Sequence, residues 1–227
     1  MNSAYPRSPW AAVLFDLDGT LIDTNELILA SFDHAFRERL GIEVPRAELV
    51  RHFGEPLATI LARYAPPERV PELIEAYRAF NLAHHDRLAR PIPGVRRALD
   101  RLQAAGVLLA VTTSKRRDTA LRGLRLFGLE GYFQAVVAWE DASRHKPDPE
   151  PVRVTLERLG VPPGDRVLMV GDSVNDLLAG RAAGVRTAAV AWSLVPRADL
   201  EACAPDFWLE RPEDLVPLCL PPEPPGG

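Results

Sequence analysis

Residues 11–20 read AAVLFDLDGT. An unbroken apolar run ends at a carboxylate, Asp16, and Gly19 follows three residues later. A short apolar run bounded by charge and glycine predicts a strand buried on both faces. Such strands belong to parallel sheets, where crossover helices cover each side. Similar runs recur at residues 107–113 (VLLAVTT), 135–138 (AVVA), 167–170 (VLMV) and 187–191 (TAAVA). Amphipathic helical patterns separate most of them, over 95–105, 117–127, 151–159 and 175–183. The alternation predicts an α/β fold built on a Rossmann-like parallel sheet.

The stretch from Leu21 to Pro93 breaks the alternation. It holds no run that reads as a strand and reads instead as helices over 25–40, 46–53, 57–64 and 68–89. A crossover between parallel strands needs only about a dozen residues. The excess predicts an inserted α-helical domain over 21–93, with Pro91-Ile92-Pro93-Gly94 as the hinge back to the core. Phe32, Phe36 and Tyr77 read as the core of that insert, and Trp192 as a core or rim residue. The catalytic core is expected over 10–20 plus 94–217, with tails at 1–9 and 218–227. The end, PPEPPGG over 221–227, has the composition of a disordered segment.

Composition narrows the function classes. The net charge of −4 over 227 residues argues against a nucleic-acid partner. No apolar run approaches the roughly 20 residues of a membrane helix. Residues 1–9 lack the apolar stretch of a secretory signal. Cys203 and Cys219 form no metal-like cluster, as expected for reduced thiols of a cytoplasmic protein. Only two of the 27 basic residues are lysines, Lys115 and Lys146. Where arginine is used so widely, a retained lysine marks a position that needs a compact ammonium, unless it survives by chance.

Chemistry gathers at the strand ends. In an open parallel sheet, ligands bind beyond the carboxyl ends of the strands. Asp16 and Asp18 follow the first strand, Thr113 and Ser114 end the second, and Gly171-Asp172-Ser173-Val174-Asn175-Asp176 follows the fourth. Lys146 precedes that strand on a proline-rich loop, Lys146-Pro147-Asp148-Pro149. A single aspartate there usually caps a helix, and a single lysine is usually a solvated charge. Together they suit a divalent cation and a phosphate. No GxGxxG follows the first strand and no P-loop is present, which excludes the common nucleotide motifs.

These motifs, DLDGT at 16–20, Thr113, Lys146 and GDSVND at 171–176, resemble the four motifs of the haloacid dehalogenase superfamily in its phosphatase branch. The helical insert lies where that superfamily carries its C1 cap. Within the branch the chain is similar to the phosphoglycolate phosphatases and, more closely, to the cap-bearing bacterial inorganic pyrophosphatases. The stretches 23–28, 77–81, 146–152, 190–192 and 205–207 carry that preference. The resemblance implies a Mg2+-dependent hydrolase acting on a small phosphorylated substrate, with no nucleic acid or membrane partner. It implies Asp16 as nucleophile, Asp18 as general acid and base, and Thr113 and Lys146 as phosphoryl-binding groups. It places the metal on Asp16, the Asp18 carbonyl and Asp172, with Asp176 and Ser173 behind them. Gly54, on the cap loop, and Ser114, Arg51 and Arg78 are candidate substrate contacts. His52, His84 and His85 are further cations available to the cap, although the His84-His85 pair reads equally well as a solvated helix end. The same motifs on a catalytically silent binder are the alternative of a different class.

Overall fold

The computed structural model describes residues 8–220. In chain order it contains β1 (Ala12–Phe15), β2 (Ile22–Asp23), α1 (Asn25–Leu40), α2 (Arg46–Val50), α3 (Leu57–Leu61), α4 (Val70–Leu88) and β3 (Arg90–Pro91). These are followed by α5 (Val95–Ala104), β4 (Leu108–Thr112), α6 (Arg117–Leu126), β5 (Ala135–Val137), α7 (Glu150–Leu159), β6 (Val167–Gly171), α8 (Val174–Ala182), β7 (Arg186–Val190), α9 (Arg197–Ala202), β8 (Phe207–Leu209) and α10 (Leu215–Cys219).

The main sheet runs β5-β4-β1-β6-β7-β8, and every neighbouring pair is parallel. β1 sits in its middle, with Phe15 opposite Val111 on one side and Val170 on the other. Chain order moves outward from β1 to β4 and β5, then returns to β6 on its other flank. That reversal places a topological switch point at the carboxyl end of β1. All four β1 residues are buried. Val13 and Phe15 join one apolar cluster with Leu109, Val111, Leu168 and Val170. Ala12 and Leu14 join another, with Ala110, Val167 and Met169. The continuous apolar run is therefore the signature of a strand whose alternate side chains enter two different layers.

The insert builds an apolar cluster around Phe32, Phe36, Leu49, Leu61 and Leu73, which runs on into Leu177 of α8, Leu200 of α9 and Cys203 at its end. Phe32 packs against Phe36 and Tyr77, as the sequence predicts. α1 stops at Gly41, whose left-handed φ of 66° lets its N–H bond the Arg37 carbonyl. Asp86, near the end of α4, pairs with Arg122 of α6 at 2.9 Å and ties the insert back to the core.

Several boundaries differ from the sequence reading. The insert holds two strands after all: β2 and β3 pair antiparallel at its root, Ile22 with Pro91 and Asp23 with Arg90. Two residues per strand are too few to show any periodicity. The segments read as helices over 46–53 and 57–64 stop early, at Val50 and Leu61, and turn. β8 went unread because its three residues form a sheet edge, with Phe207 and Trp208 only half-buried. Ser8 and residues 218–220 are not loose tails. The Ser8 hydroxyl donates to the Cys219 carbonyl at 2.6 Å, and Cys219 and Leu220 join the sheet's apolar cluster. The expected disorder over 221–227 lies outside the described residues. Among the described residues, no helix is long and apolar enough to cross a membrane.

α8 carries Asp176 in its first turn, so its seating on the sheet matters to the site. A Cβ built on Gly180 would lie 2.9 Å from Met169 of β6 and 2.9 Å from Thr187 of β7. Gly180→Ala should therefore overpack this contact and lower stability by about 1–3 kcal/mol. A shift of the urea midpoint at unchanged slope is the expected readout. An unchanged midpoint would mean that the contact has slack.

Candidate active site

β1 ends at Phe15, and Asp16 emerges at the carboxyl edge of the sheet, its N–H bonded to the Val170 carbonyl at 2.9 Å. β4 delivers Thr112 and Thr113 beside it, and β6 delivers Asp172. Lys146 reaches in from the loop before α7. Its Nζ donates to Asp16 Oδ1 at 2.6 Å, to Asp176 Oδ1 at 2.6 Å and to the Thr112 carbonyl at 3.0 Å. An ammonium has three protons, and here each has an acceptor. Lys146 is only 3% exposed.

Asp176 serves two masters. Its Oδ1 accepts a hydrogen bond from Lys146 Nζ, while its Oδ2 accepts from the Ser173 N–H at 3.1 Å and the Ser173 hydroxyl at 2.6 Å. The Ser173 hydroxyl in turn caps the Asp176 N–H, which completes a capping box at the start of α8. One oxygen of Asp176 thus serves the helix cap while the other meets Lys146.

Oxygens of Asp16, Asp172 and Asp176 lie within 4.8 Å of one another, all buried. Burial pushes the Asp16 carboxyl up to about 7, with Asp176 and Asp18 adding to the rise and Lys146 opposing it. Burial likewise lifts Asp172 well above the usual carboxylate range, reinforced by Asp176 and Asp16. Burial disfavours the Lys146 ammonium, but Asp16 and Asp176 outweigh that and hold it firmly protonated. An all-oxygen set of buried carboxylates with a single lysine among them suits a hard divalent cation. Gly19 makes room at this point. Its φ is 79°, and a Cβ there would fall 2.2 Å from Asp172 Oδ2.

Asp18 takes its hydrogen bonds from outside this cluster. Its Oδ1 accepts from Lys115 Nζ at 2.7 Å and from the Thr24 hydroxyl at 2.7 Å. Thr24 occupies the N-cap position of α1 yet makes no cap there. Its hydroxyl is given to Asp18 instead.

Above these groups a cavity of about 390 Å3 opens between sheet edge and insert. Asp16, Asp18, Thr113, Ser114, Lys146, Asp172, Ser173 and Asp176 all line it, as do Gly54 and Arg78 from the insert. Gly54, at φ 86°, backs onto Ser173, where a Cβ would come within 2.4 Å of the hydroxyl. Arg51 does not reach the cavity. α2 ends one residue before it and the chain turns, so Phe53 and Gly54 point inward while Arg51 is left exposed. Nor do the histidines line it. His52 is held by Glu55 at 3.1 Å. His84 stacks on Phe80. His85 is fully buried rather than solvated, bonded to Asp86 at 2.9 Å. Trp192 packs half-buried against the sheet cluster. Lys115 and Thr24 are the contacts that motif reading missed. The scarcity of lysine was the one signal pointing to Lys115.

The sequence matches the family model described as haloacid dehalogenase-like hydrolase over residues 13–190. The chain belongs to that family. It is accordingly a hydrolase of phosphate compounds. A pyrophosphatase named PpaX from Bacillus velezensis is 43% identical over 205 residues, covering 90% of this chain and 94% of that protein. A haloacid dehalogenase-like hydrolase from Streptococcus pneumoniae superposes with a TM-score of 0.82 at 26% identity, covering 92% of this chain and 98% of that one. A structure described as a predicted phosphoglycolate phosphatase from Haemophilus somnus shares the fold, with a TM-score of 0.81 at 23% identity over 92% of this chain and 98% of that one.

The saturated geometry of Lys146 yields a test. A guanidinium is a wide fork and cannot meet three acceptors arranged around one point. Lys146→Arg should lower kcat/KM by about 10²-fold or more, close to the loss in Lys146→Ala. Near-normal kinetics for Lys146→Arg would show that charge alone suffices.

Proposed function

We propose that this chain is a Mg2+-dependent phosphohydrolase that works through an aspartyl phosphate on Asp16 and takes inorganic pyrophosphate as its substrate. The observation that carries the reading is the pairing at the sheet edge. One carboxylate, Asp16, is held by a buried lysine at 2.6 Å, and a second, Asp18, stands free of that cluster on the cavity wall. Two carboxylates in different surroundings can take different roles.

In this mechanism Asp16 attacks phosphorus and divides one hard displacement into two easier ones. Asp18 gives a proton to the departing oxygen and later takes one from the attacking water. The Thr113 hydroxyl and Lys146 stabilise the phosphoryl oxygens as charge develops on them. Mg2+ would be held by Asp16, Asp172 and the Asp18 carbonyl, and it supplies charge neutralisation that draws the buried carboxyls back to the ionised form. Asp176, with both oxygens already engaged, orients that shell through Lys146 and Ser173. The insert serves as a cap that excludes water and meets the leaving group, with Gly54 and Arg78 on its inner face. A soluble phosphate substrate fits a cytoplasmic location.

Pyrophosphate is favoured by the 43% identity to a protein of that name. A second reading, a small phosphomonoester such as 2-phosphoglycolate, is favoured by the cap wall. Ile28, Phe32, Phe53, Leu57 and Ile74 make that side of the cavity apolar, and pyrophosphate has no carbon to meet it.

Two measurements test the reading. EDTA should abolish turnover and Mg2+ should restore it, with Ca2+ a poor substitute because it prefers more ligands at longer distances. Full activity in a chelated preparation would contradict the metal assignment. Steady-state kcat/KM should be higher for pyrophosphate than for 2-phosphoglycolate. If phosphoglycolate is better by about tenfold, or 1.4 kcal/mol of transition-state binding, the phosphomonoester reading replaces the first.

A further inference from the structure

Four cationic side chains line the cavity among the described residues: Arg78, Lys115, Arg116 and Lys146. Lys146 is fully engaged with Asp16, Asp176 and the Thr112 carbonyl. Arg116 is half-exposed and leans toward Asp118 and Glu140, each at 3.6 Å. Arg78 is exposed on α4. Lys115 differs from all three. Its side chain is only 11% exposed, and among the described residues its ammonium makes one bond, to Asp18 Oδ1 at 2.7 Å. An ammonium carries three protons, so two remain for another acceptor.

The backbone beneath it is fixed on both sides. The Lys115 N–H donates to the Thr113 hydroxyl at 3.1 Å, and its carbonyl accepts from the Trp139 N–H at 3.0 Å. The ammonium is thus delivered from a firm base whose first anchor is itself in the phosphoryl-binding strand end. Asp18 also keeps a second donor, the Thr24 hydroxyl, so sharing Lys115 with another anion does not strand it.

Geometry then decides what that anion is. If Asp16 attacks phosphorus, the departing oxygen leaves on the opposite side, where the acid Asp18 must reach it. A cation bonded to Asp18 therefore stands beside the leaving group. A leaving group with a negative charge of its own offers an acceptor to the unused Lys115 protons. A neutral one offers only a weaker, uncharged acceptor.

We propose that Lys115 is a specificity-determining residue that recognises an anionic leaving group, a phosphate above all, by bridging it to Asp18. The inference rests on the phosphoryl-transfer reading above and assigns the discrimination to the core loop after β4 rather than to the cap alone.

The test compares Lys115→Met, Lys115→Gln and Lys115→Arg with the wild-type enzyme, in Mg2+, on pyrophosphate, 2-phosphoglycolate and para-nitrophenyl phosphate. Loss of a charged hydrogen bond should lower kcat/KM for pyrophosphate by about 10- to 100-fold. The loss on para-nitrophenyl phosphate, whose leaving group bears no second anion, should be smaller by about tenfold or more. Lys115→Arg, which keeps the charge, should recover part of the discrimination. An equal loss on all three substrates would overturn the proposal, because it would confine Lys115 to supporting Asp18 or the fold. No loss on any would overturn it as well. The wild-type rates judge the substrate reading separately. If pyrophosphate proves a poor substrate, the same ratio is read between 2-phosphoglycolate, whose leaving group carries a carboxylate, and para-nitrophenyl phosphate. Should Lys115→Met fail to fold, Lys115→Gln keeps the polar stem and gives the same comparison.

Discussion

Lys146 Nζ joins the carboxyl ends of three strands. It meets Asp16 after β1, the Thr112 carbonyl that ends β4, and Asp176 in the first turn of the helix after β6. Taking charges out of water carries a desolvation penalty of several kcal/mol per ion, which only close pairing offsets. Three acceptors at 2.6–3.0 Å provide that pairing. The price of the arrangement is an excess of buried carboxylate: Asp16 and Asp172 are both lifted in pKa by burial and, after it, by the neighbouring Asp176. A proton or a divalent cation among its oxygens would relieve that excess, and the close approach of Gly19 to Asp172 keeps that space clear of a side chain.

Much of this was readable in advance because burial and charge conflict visibly in the sequence. An aspartate directly after four buried apolar residues has few innocent explanations, and Asp16 lies where that conflict predicts. The same holds for Lys146, conspicuous as one of two lysines. The helices of the insert were legible where they were long, and α1 spans the residues its pattern marks out. What escaped was short or angular. β2 and β3 have two residues each, and β8 lies half-exposed at an edge. Arg51 and His52 sit next to the cavity loop in sequence, but the turn after α2 decides which neighbour points inward, and sequence distance does not encode that angle. His85, open in the sequence to a cap cation or a solvated helix end, is instead buried at the insert's root beside Gly123.

The two walls of the cavity differ in kind. The sheet edge presents carboxylates, hydroxyls and two lysines on short, well-anchored segments. The insert presents mostly apolar side chains, with Asn25, Glu55, Tyr77, Arg78 and Asn81 as polar exceptions. This division suits a site where the core performs the chemistry and the cap mainly displaces water, since electrostatic interactions strengthen as water leaves. Thr24 stands at the junction. It begins the first helix of the insert, yet its hydroxyl holds Asp18 in place of capping that helix. Movement of the insert on its short β2–β3 root would therefore be felt directly at Asp18.

The account depends on Asp16 becoming covalently phosphorylated. Acid quench during steady-state turnover, followed by borohydride reduction and peptide mass spectrometry, reads this out, because reduction of an aspartyl phosphate leaves homoserine. The account predicts homoserine at position 16, dependent on substrate and absent when substrate is omitted. A fully active enzyme that never carries phosphate on the chain, or carries it on a residue other than Asp16, would contradict it.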